Sequence, residues 1–244
     1  MSRSFEGKTA LVTGSSRGIG RAIAERLAAQ GAAVVVNYSR SPQAARDAVD
    51  AILARGGRAV AVRADVTEPA DVRRLFDEAE KTVGRLDVVV ANAGVFLAKP
   101  LAESTEGDYE HVFNTNAKGV FFTLREAARR LRDGGRIVVV STGGTRMHFA
   151  NASLYLGSKG AIEQFARSLS RELGSRNITV NVLSPGFTDT DMLDSEEFRV
   201  RGASLSPFNR IGAPEEVADV AAFLASDSAR WVTGQTVQAG GGVV

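Results

Sequence analysis

The sequence predicts an α/β fold, a doubly wound parallel sheet of seven strands with helices on both faces. Three observations lead there. Short β-branched runs recur along the 244 residues. Ala/Leu/Arg-rich stretches of helical period fill the intervals between them. Several runs, Val88-Val89-Val90 and Ile137-Val138-Val139-Val140 among them, are apolar throughout, as strands buried on both faces require.

The first strand, residues 9–12, runs into a glycine-rich turn and then a helix over 19–30. A strand at 33–37 leads to a helix at 42–55, and Gly31 and Gly56 stand where helices end in the left-handed conformation. The strand at 59–63 precedes a helix at 70–83, with Pro69 in its first turn, where a missing N–H costs nothing. Strand 86–91 is followed by a long helix at 107–131, and strand 136–141 by a helix at 154–173. After strand 178–183 comes an irregular stretch, 186–211, then a helix at 214–225 opened by Pro214, and a last strand at 236–238. No repeat, low-complexity tract or linker divides the chain. One domain over 1–244 is expected, with 186–211 as a substrate-binding lid, because so long a connection in a compact domain is commonly functional.

Composition narrows the chemistry. A chain of this length buries roughly 70–75% of its extended surface, enough for a large core. There is no Cys, and His111 and His148 are the only histidines, so disulfides, thiolate zinc sites, Cys nucleophiles and a metal centre are not expected. Thirty Lys and Arg against 28 Asp and Glu leave a net charge of +2, and no basic run exceeds two residues, which argues against a nucleic-acid partner. No apolar stretch of about 18 residues occurs, so no membrane partner is expected. With a short polar start at Met1 to Glu6 and no Cys, the reading is a soluble cytoplasmic protein.

Between the first strand and the first helix lies Thr13-Gly14-Ser15-Ser16-Arg17-Gly18-Ile19-Gly20. Three glycines let the chain turn tightly, bring backbone N–H groups against a pyrophosphate and let the helix pack on its strand, as in a Rossmann-type fold. The spacing Gly-x-x-x-Gly-x-Gly resembles that of the short-chain dehydrogenase/reductase family, and the resemblance extends over nearly the whole chain, from Phe5 to Gly242. It implies an NAD(P)-dependent oxidoreductase.

At the end of the second strand, Asn37-Tyr38-Ser39-Arg40 carries no Asp or Glu for a ribose 2′-hydroxyl. Asn37 and Ser39 can donate hydrogen bonds, and Arg17 and Arg40 can pair with a 2′-phosphate, so NADP(H) is expected over NAD(H). The resemblance further implies an adenine contact at Asp65 with Val66, and cofactor contacts at Asn92, Ala93 and Gly94, with Ala91 replacing the first Asn of the usual motif. After the sixth strand, Pro185, Gly186 and Thr188 resemble the segment closing over the nicotinamide.

Tyr155-Leu156-Gly157-Ser158-Lys159 puts a phenol and an ammonium on one helical face. The nearby cation is expected to favour the phenolate, and the resemblance adds that Lys159 holds the nicotinamide ribose. A hydroxyl from the end of the fifth strand is expected to orient the substrate oxygen. Thr142 lies at the usual thirteen-residue separation from Tyr155, with Ser141 as the alternative. Asn116 resembles the family's helix Asn, whose carbonyl holds a water leading to Lys159.

The implied reaction is NADP(H)-dependent reduction of a small-molecule carbonyl to a secondary alcohol. Both 3-oxoacyl-acyl-carrier-protein reductases and hydroxynaphthalene-type ketoreductases are similar. Arg176 occupies one of the paired basic positions of the former, but Asp133 stands at the other. Phe96, Leu97, Met147, His148, Phe149, Phe187, Met192 and Leu193 are candidate pocket residues. The alternatives are a non-catalytic NADP(H)-sensing protein and an NAD-dependent alcohol dehydrogenase. Family members are usually tetramers built on paired long helices, so a homotetramer or homodimer is expected.

Overall fold

A computed structural model describes residues 4–193 and 195–244. The expectation drawn from residues 1–3 lies outside them. Seven strands form one parallel sheet: β1 (Thr9–Val12), β2 (Ala33–Tyr38), β3 (Arg58–Arg63), β4 (Val88–Ala91), β5 (Arg136–Val140), β6 (Thr179–Pro185) and β7 (Thr236–Ala239). Their order is β3-β2-β1-β4-β5-β6-β7, so the winding reverses between β1 and β4. In such sheets a crevice opens at that reversal, beyond the carboxyl ends of the strands.

Alternation along the strands builds two apolar layers. Ala10 and Val12 of β1, Val88 and Val90 of β4 and Val138 and Val140 of β5 join one cluster with α1 (Gly18–Ala29), α2 (Pro42–Ala54) and α8 (Pro214–Ala225). Leu11, Val89, Ala91, Ile137 and Val139 point to the other face, against α3 (Pro69–Val83), α5 (Gly119–Arg130) and α6 (Ser153–Glu172).

Two expectations are corrected. The helix expected at 107–131 is interrupted: α4 (Glu106–Phe113) and α5 are joined by a π turn at Asn114–Lys118. The stretch 186–211, expected to be irregular, contains α7 (Glu196–Leu205). Its amphipathic signal is weak because only Gly202 of the ten residues is buried, so periodicity had little to report. Ser195 starts the helix by accepting a hydrogen bond from the Phe198 amide.

Candidate active site

The glycine turn after β1 is shaped by steric need. Gly14 (φ +61°) and Gly18 (φ +55°) occupy the left-handed region, and a Cβ on Gly14 would stand 2.8 Å from Ala93 Cα. A Cβ on Gly20 would lie 2.4 Å from Asn92 Nδ2 and 2.5 Å from the Gly14 carbonyl. The following helix, α1, has no side-chain N-cap and no acidic residue in its first turn, so its leading N–H groups are not claimed by a local carboxylate. This is a cradle suited to a pyrophosphate.

Asn37 is 2% exposed; its Oδ1 accepts from Gly14 N at 3.1 Å, and its Nδ2 donates to the carbonyls of Val62 and Ala64. Both amide hydrogens are engaged beneath the glycine turn, so in this arrangement the side chain braces the cradle. Ser39 is half-buried; Arg40 and Arg17 are exposed at this edge, Arg17 lying 3.5 Å from Asp191 of the 186–211 segment. Ser16 and Val66 are buried, and Ile19 packs on the core. One Asp65 oxygen accepts from the amide and hydroxyl of Thr67.

Asn92 ties β4 to β1: its Nδ2 donates to the carbonyls of Thr13 and Gly14, and Thr13 Oγ1 accepts from the amides of Asn92 and Ala93. Gly94 brings its backbone beside the polar centre, since a Cβ there would stand 3.3 Å from both Asn116 Oδ1 and Lys159 Nζ. Pro185 ends β6, and Thr188 is buried, donating to the Gly186 carbonyl at 3.1 Å.

Asn116 sits fully buried inside the π turn. Its side chain donates to the Val95 carbonyl at 2.9 Å and to Ser158 Oγ at 3.0 Å, and accepts from Val95 N at 2.8 Å. It thereby fixes the loop after β4 against α6. The π turn opens the helical hydrogen-bond ladder at this point, a feature frequent at functional sites.

On α6, Tyr155, Lys159 and Glu163 share one face, and each engages the residues leaving β5. Lys159 Nζ donates to the Val140 carbonyl at 2.9 Å. The Tyr155 phenol faces the Thr142 hydroxyl, whose interaction pulls the phenol's pKa down. Glu163 Oε1 accepts from Ser141 Oγ at 2.7 Å. The two hydroxyls left open by the sequence are therefore separated: Thr142 faces the phenol, and Ser141, 4% exposed, faces Glu163.

The electrostatics differ from the sequence expectation. Burial pushes the Tyr155 phenol up to about 12, against a smaller downward pull from the Thr142 hydroxyl. Lys159 does not draw it down; its Nζ lies 5.9 Å from the Tyr155 ring centroid and is turned to the Val140 carbonyl. Burial lowers Lys159 to about 8, opposed by the field of Glu163.

Aromatic groups stand around this centre. Phe96 meets Tyr155 edge to face at 5.0 Å. Phe149, after β5, contacts Phe187 of the 186–211 segment at 6.0 Å, and the Arg201 guanidinium lies 5.6 Å from its ring. Gly202 lets α7 settle on Phe187, whose Cγ would be 2.5 Å from an added Cβ. Leu97 and Met147 are half-buried, Met192 and His148 are exposed, and Leu193 is half-buried. Glu163 and Arg201 had not been singled out for a role in the site; the four-residue repeat from Tyr155 through Lys159 was the available signal for Glu163.

A glycine cradle at the sheet's reversal, opposite a half-buried phenol–hydroxyl pair, is the arrangement of a dinucleotide-binding oxidoreductase. The chain belongs to the short-chain dehydrogenase/reductase family: the family model described as enoyl-(acyl carrier protein) reductase matches residues 14–244. It is 44% identical over 258 residues to a hydroxynaphthalene reductase-like protein of Metarhizium brunneum, covering 99% of this chain and 97% of that protein. It is 42% identical over 253 residues to a versicolorin reductase of Emericella nidulans, covering 98% and 96%. Among solved structures, an angucycline C-6 ketoreductase with bound NADP superposes with a TM-score of 0.95 at 43% identity, over 100% of this chain and 98% of that one. A short-chain dehydrogenase from Burkholderia cenocepacia in complex with NADP does so at 0.94 and 40% identity, over 98% and 99%.

Proposed function

We propose that this chain is an NADPH-dependent ketoreductase acting on a small, preferably aromatic, ketone. The observation that carries the reading is the Thr142–Tyr155–Lys159 cluster beside the glycine cradle. The residues fit the cofactor: α1 begins without a cap, Gly14 leaves room no side chain would, and no carboxylate stands at the end of β2 to repel a 2′-phosphate. Gly14, Ser16, Gly18, Ile19 and Gly20 would hold the pyrophosphate, and Arg17 and Arg40 the 2′-phosphate. Asp65 and Val66 would border the adenine, and Asn92, Ala93, Gly94, Pro185, Gly186 and Thr188 the nicotinamide half. The NADP bound in the similar ketoreductase and short-chain dehydrogenase structures supports this choice.

The chemistry NADPH supplies when bound is hydride transfer to the carbonyl carbon. Thr142 Oγ1 donates to the substrate oxygen and holds it at the phenol. Tyr155, a phenol that is neutral at pH 7 and that burial pushes further up to about 12, carries the proton that passes from its Oη to the developing alkoxide. Lys159, still protonated at neutral pH, positions the nicotinamide ribose. Asn116 supports the route by which the proton is restored.

For the substrate, the surroundings of Arg176 favour a free ketone over a carrier-bound thioester. Its Nε donates to Asp133 at 2.7 Å and its terminal nitrogens donate to the Ala128 and Leu131 carbonyls, so the guanidinium is occupied within its own chain. Phe96, Phe149 and Phe187 offer ring faces to a planar ligand. The 186–211 segment would act as the lid. Exposed Tyr109 and Phe121 on α4 and α5 support assembly through paired helices as a homodimer or homotetramer. No helix among the described residues is long and apolar enough to cross a membrane, and the absence of Cys agrees with a cytoplasmic setting.

The test is titration with NADPH and NADH, then NADPH oxidation with quinones, diketones and β-ketoesters. Tighter binding of NADPH and turnover that Tyr155→Phe abolishes support the reading. Tighter NADH binding, or a Tyr155→Phe enzyme as fast as wild type, would overturn it.

A further inference from the structure

We propose that Glu163 is a positioning residue of this site: its carboxylate clamps both ends of the turn that presents the Thr142 hydroxyl to Tyr155. This rests on the ketoreductase reading above and adds a residue to it.

Oε1 of Glu163 accepts two hydrogen bonds, from Ser141 Oγ at 2.7 Å and from Thr145 Oγ1 at 2.8 Å. Ser141 immediately precedes Thr142, and Thr145 lies within the short 3-10 turn Gly143–Arg146 that follows it. Thr145 Oγ1 is also 3.1 Å from the Thr142 carbonyl, and Thr142 Oγ1 accepts from Gly144 N at 3.2 Å. One carboxylate oxygen thus joins the two ends of the five-residue segment 141–145, whose second residue bears the reacting hydroxyl. Hydrogen bonds to a charged acceptor are shorter and stronger than neutral ones, which suits a group that must hold a backbone path.

The anchor is rigid at its other end. Glu163 is four residues beyond Lys159 and eight beyond Tyr155, so the three side chains project from successive turns of one helix. They meet the chain leaving β5 at Val140, at Ser141 and Thr145, and at Thr142. A displacement of the Thr142 hydroxyl by about 1 Å is the kind of error that costs roughly a hundredfold in rate when the reacting groups are preorganised. Next to the site, Gly144 leaves little slack: a Cβ there would stand 2.9 Å from Leu156 Cδ2. The turn is therefore packed against α6 on one side and tied to it by Glu163 on the other.

The carboxylate could be needed as an acceptor or as a charge, and two variants separate these. Glu163→Gln keeps an oxygen able to accept from both hydroxyls; Glu163→Ala keeps none. If Glu163 works as the clamp, Glu163→Ala loses about tenfold to a hundredfold in kcat with the NADPH Kd within about threefold of wild type. Glu163→Gln recovers kcat to within about threefold. Should Glu163→Ala fold poorly, the double variant Ser141→Ala with Thr145→Ala removes both donors and is expected to show the same loss in kcat at unchanged NADPH affinity. Crystal structures provide a readout that does not need turnover: in Glu163→Ala the Thr142 hydroxyl leaves the Tyr155 phenol, and in Glu163→Gln it stays. Equal losses in the Gln and Ala variants, or a Thr142 hydroxyl unmoved in Glu163→Ala, would overturn the proposal. If wild type itself turned over no ketone, the functional reading would fail while the crystal structures still decided the clamp.

Discussion

Lys159 donates from Nζ to the carbonyl of Val140 at 2.9 Å while only 4% of the lysine is exposed. A buried ammonium is maintained there at the expense of stability. Burial lowers its pKa from 10.5 to about 8, so between these values the folded chain binds fewer protons than the unfolded one. Stability therefore rises with pH through that window, and the full penalty is present below pH 8. Lys159→Met should raise the unfolding free energy at pH 7 by about 1–3 kcal/mol while abolishing ketone reduction. The gain should shrink as pH rises toward 10.5, the unfolded value. Urea unfolding at a series of pH values checks this, and a variant less stable than wild type at pH 7 would contradict it.

The separation of Thr142 from Ser141 makes a second comparison. Thr142→Ala should lower kcat by about a hundredfold, as loss of one donor to a developing oxyanion does, and Thr142→Ser should retain most of it. Ser141→Ala removes only one of the two hydroxyls on Glu163 and should cost less than Thr142→Ala. Steady-state rates with a common ketone decide the order; the reverse ranking would assign the reacting hydroxyl to Ser141.

Gly20 is a steric requirement rather than a hinge. Gly20→Ala places a methyl 2.4 Å from Asn92 Nδ2 and 2.5 Å from the Gly14 carbonyl, breaking the bridge between the ends of β1 and β4. The expected loss of stability is about 2–4 kcal/mol, since the Gly14 carbonyl is backbone and Asn92 Nδ2 is held by hydrogen bonds to Thr13 and Gly14. NADPH affinity should fall at least about tenfold, equivalent to about 1.4 kcal/mol. Fluorescence titration and denaturant unfolding measure the two effects.

Gly202→Ala tests the lid separately from the cofactor. The added methyl meets Phe187 Cγ at 2.5 Å and must move either α7 or the ring that rests against Phe149. KM for the ketone should rise about fivefold or more, with NADPH affinity unchanged. An unchanged KM would remove Phe187 from the substrate pocket.

Arg17 at the start of α1 and Arg40 after β2 give a fifth contrast. Arg17→Ala with Arg40→Ala should weaken NADPH binding by about tenfold to a hundredfold and leave NADH binding unaltered, because each charge-assisted pair to a phosphate contributes about 1 kcal/mol or more. Equal weakening of both nucleotides would place the arginines elsewhere on the cofactor.

Residues whose placement follows from local spacing were legible in the sequence. Tyr155 and Lys159 announce a shared helical face, and Gly14, Gly18 and Gly20 announce a turn into a helix, because both patterns are written in consecutive residues. The strands were legible because valine runs buried on both faces need no partner to be recognised. The bracing contacts of Asn37 were not legible because they reach Gly14, Val62 and Ala64, in segments that only the tertiary fold brings together. The surroundings of the Tyr155 phenol were not legible for a related reason: spacing places Lys159 on the same helical face but does not fix the burial, which pushes the phenol up. Helix α7 escaped notice because its residues are mostly exposed and leave no apolar stripe.

The π turn at Asn114–Lys118 carries one residue more per turn than the helices on either side. Deleting any single residue there would let α4 and α5 fuse into one regular helix, a gain in local hydrogen bonding that keeps Val120 and Leu124 in phase with the sheet. The widened turn that carries Asn116 to Val95 and Ser158 would be gone. The segment should therefore tolerate substitution at its exposed positions far better than any change in length, and a shortened variant should keep its helix content while losing the site.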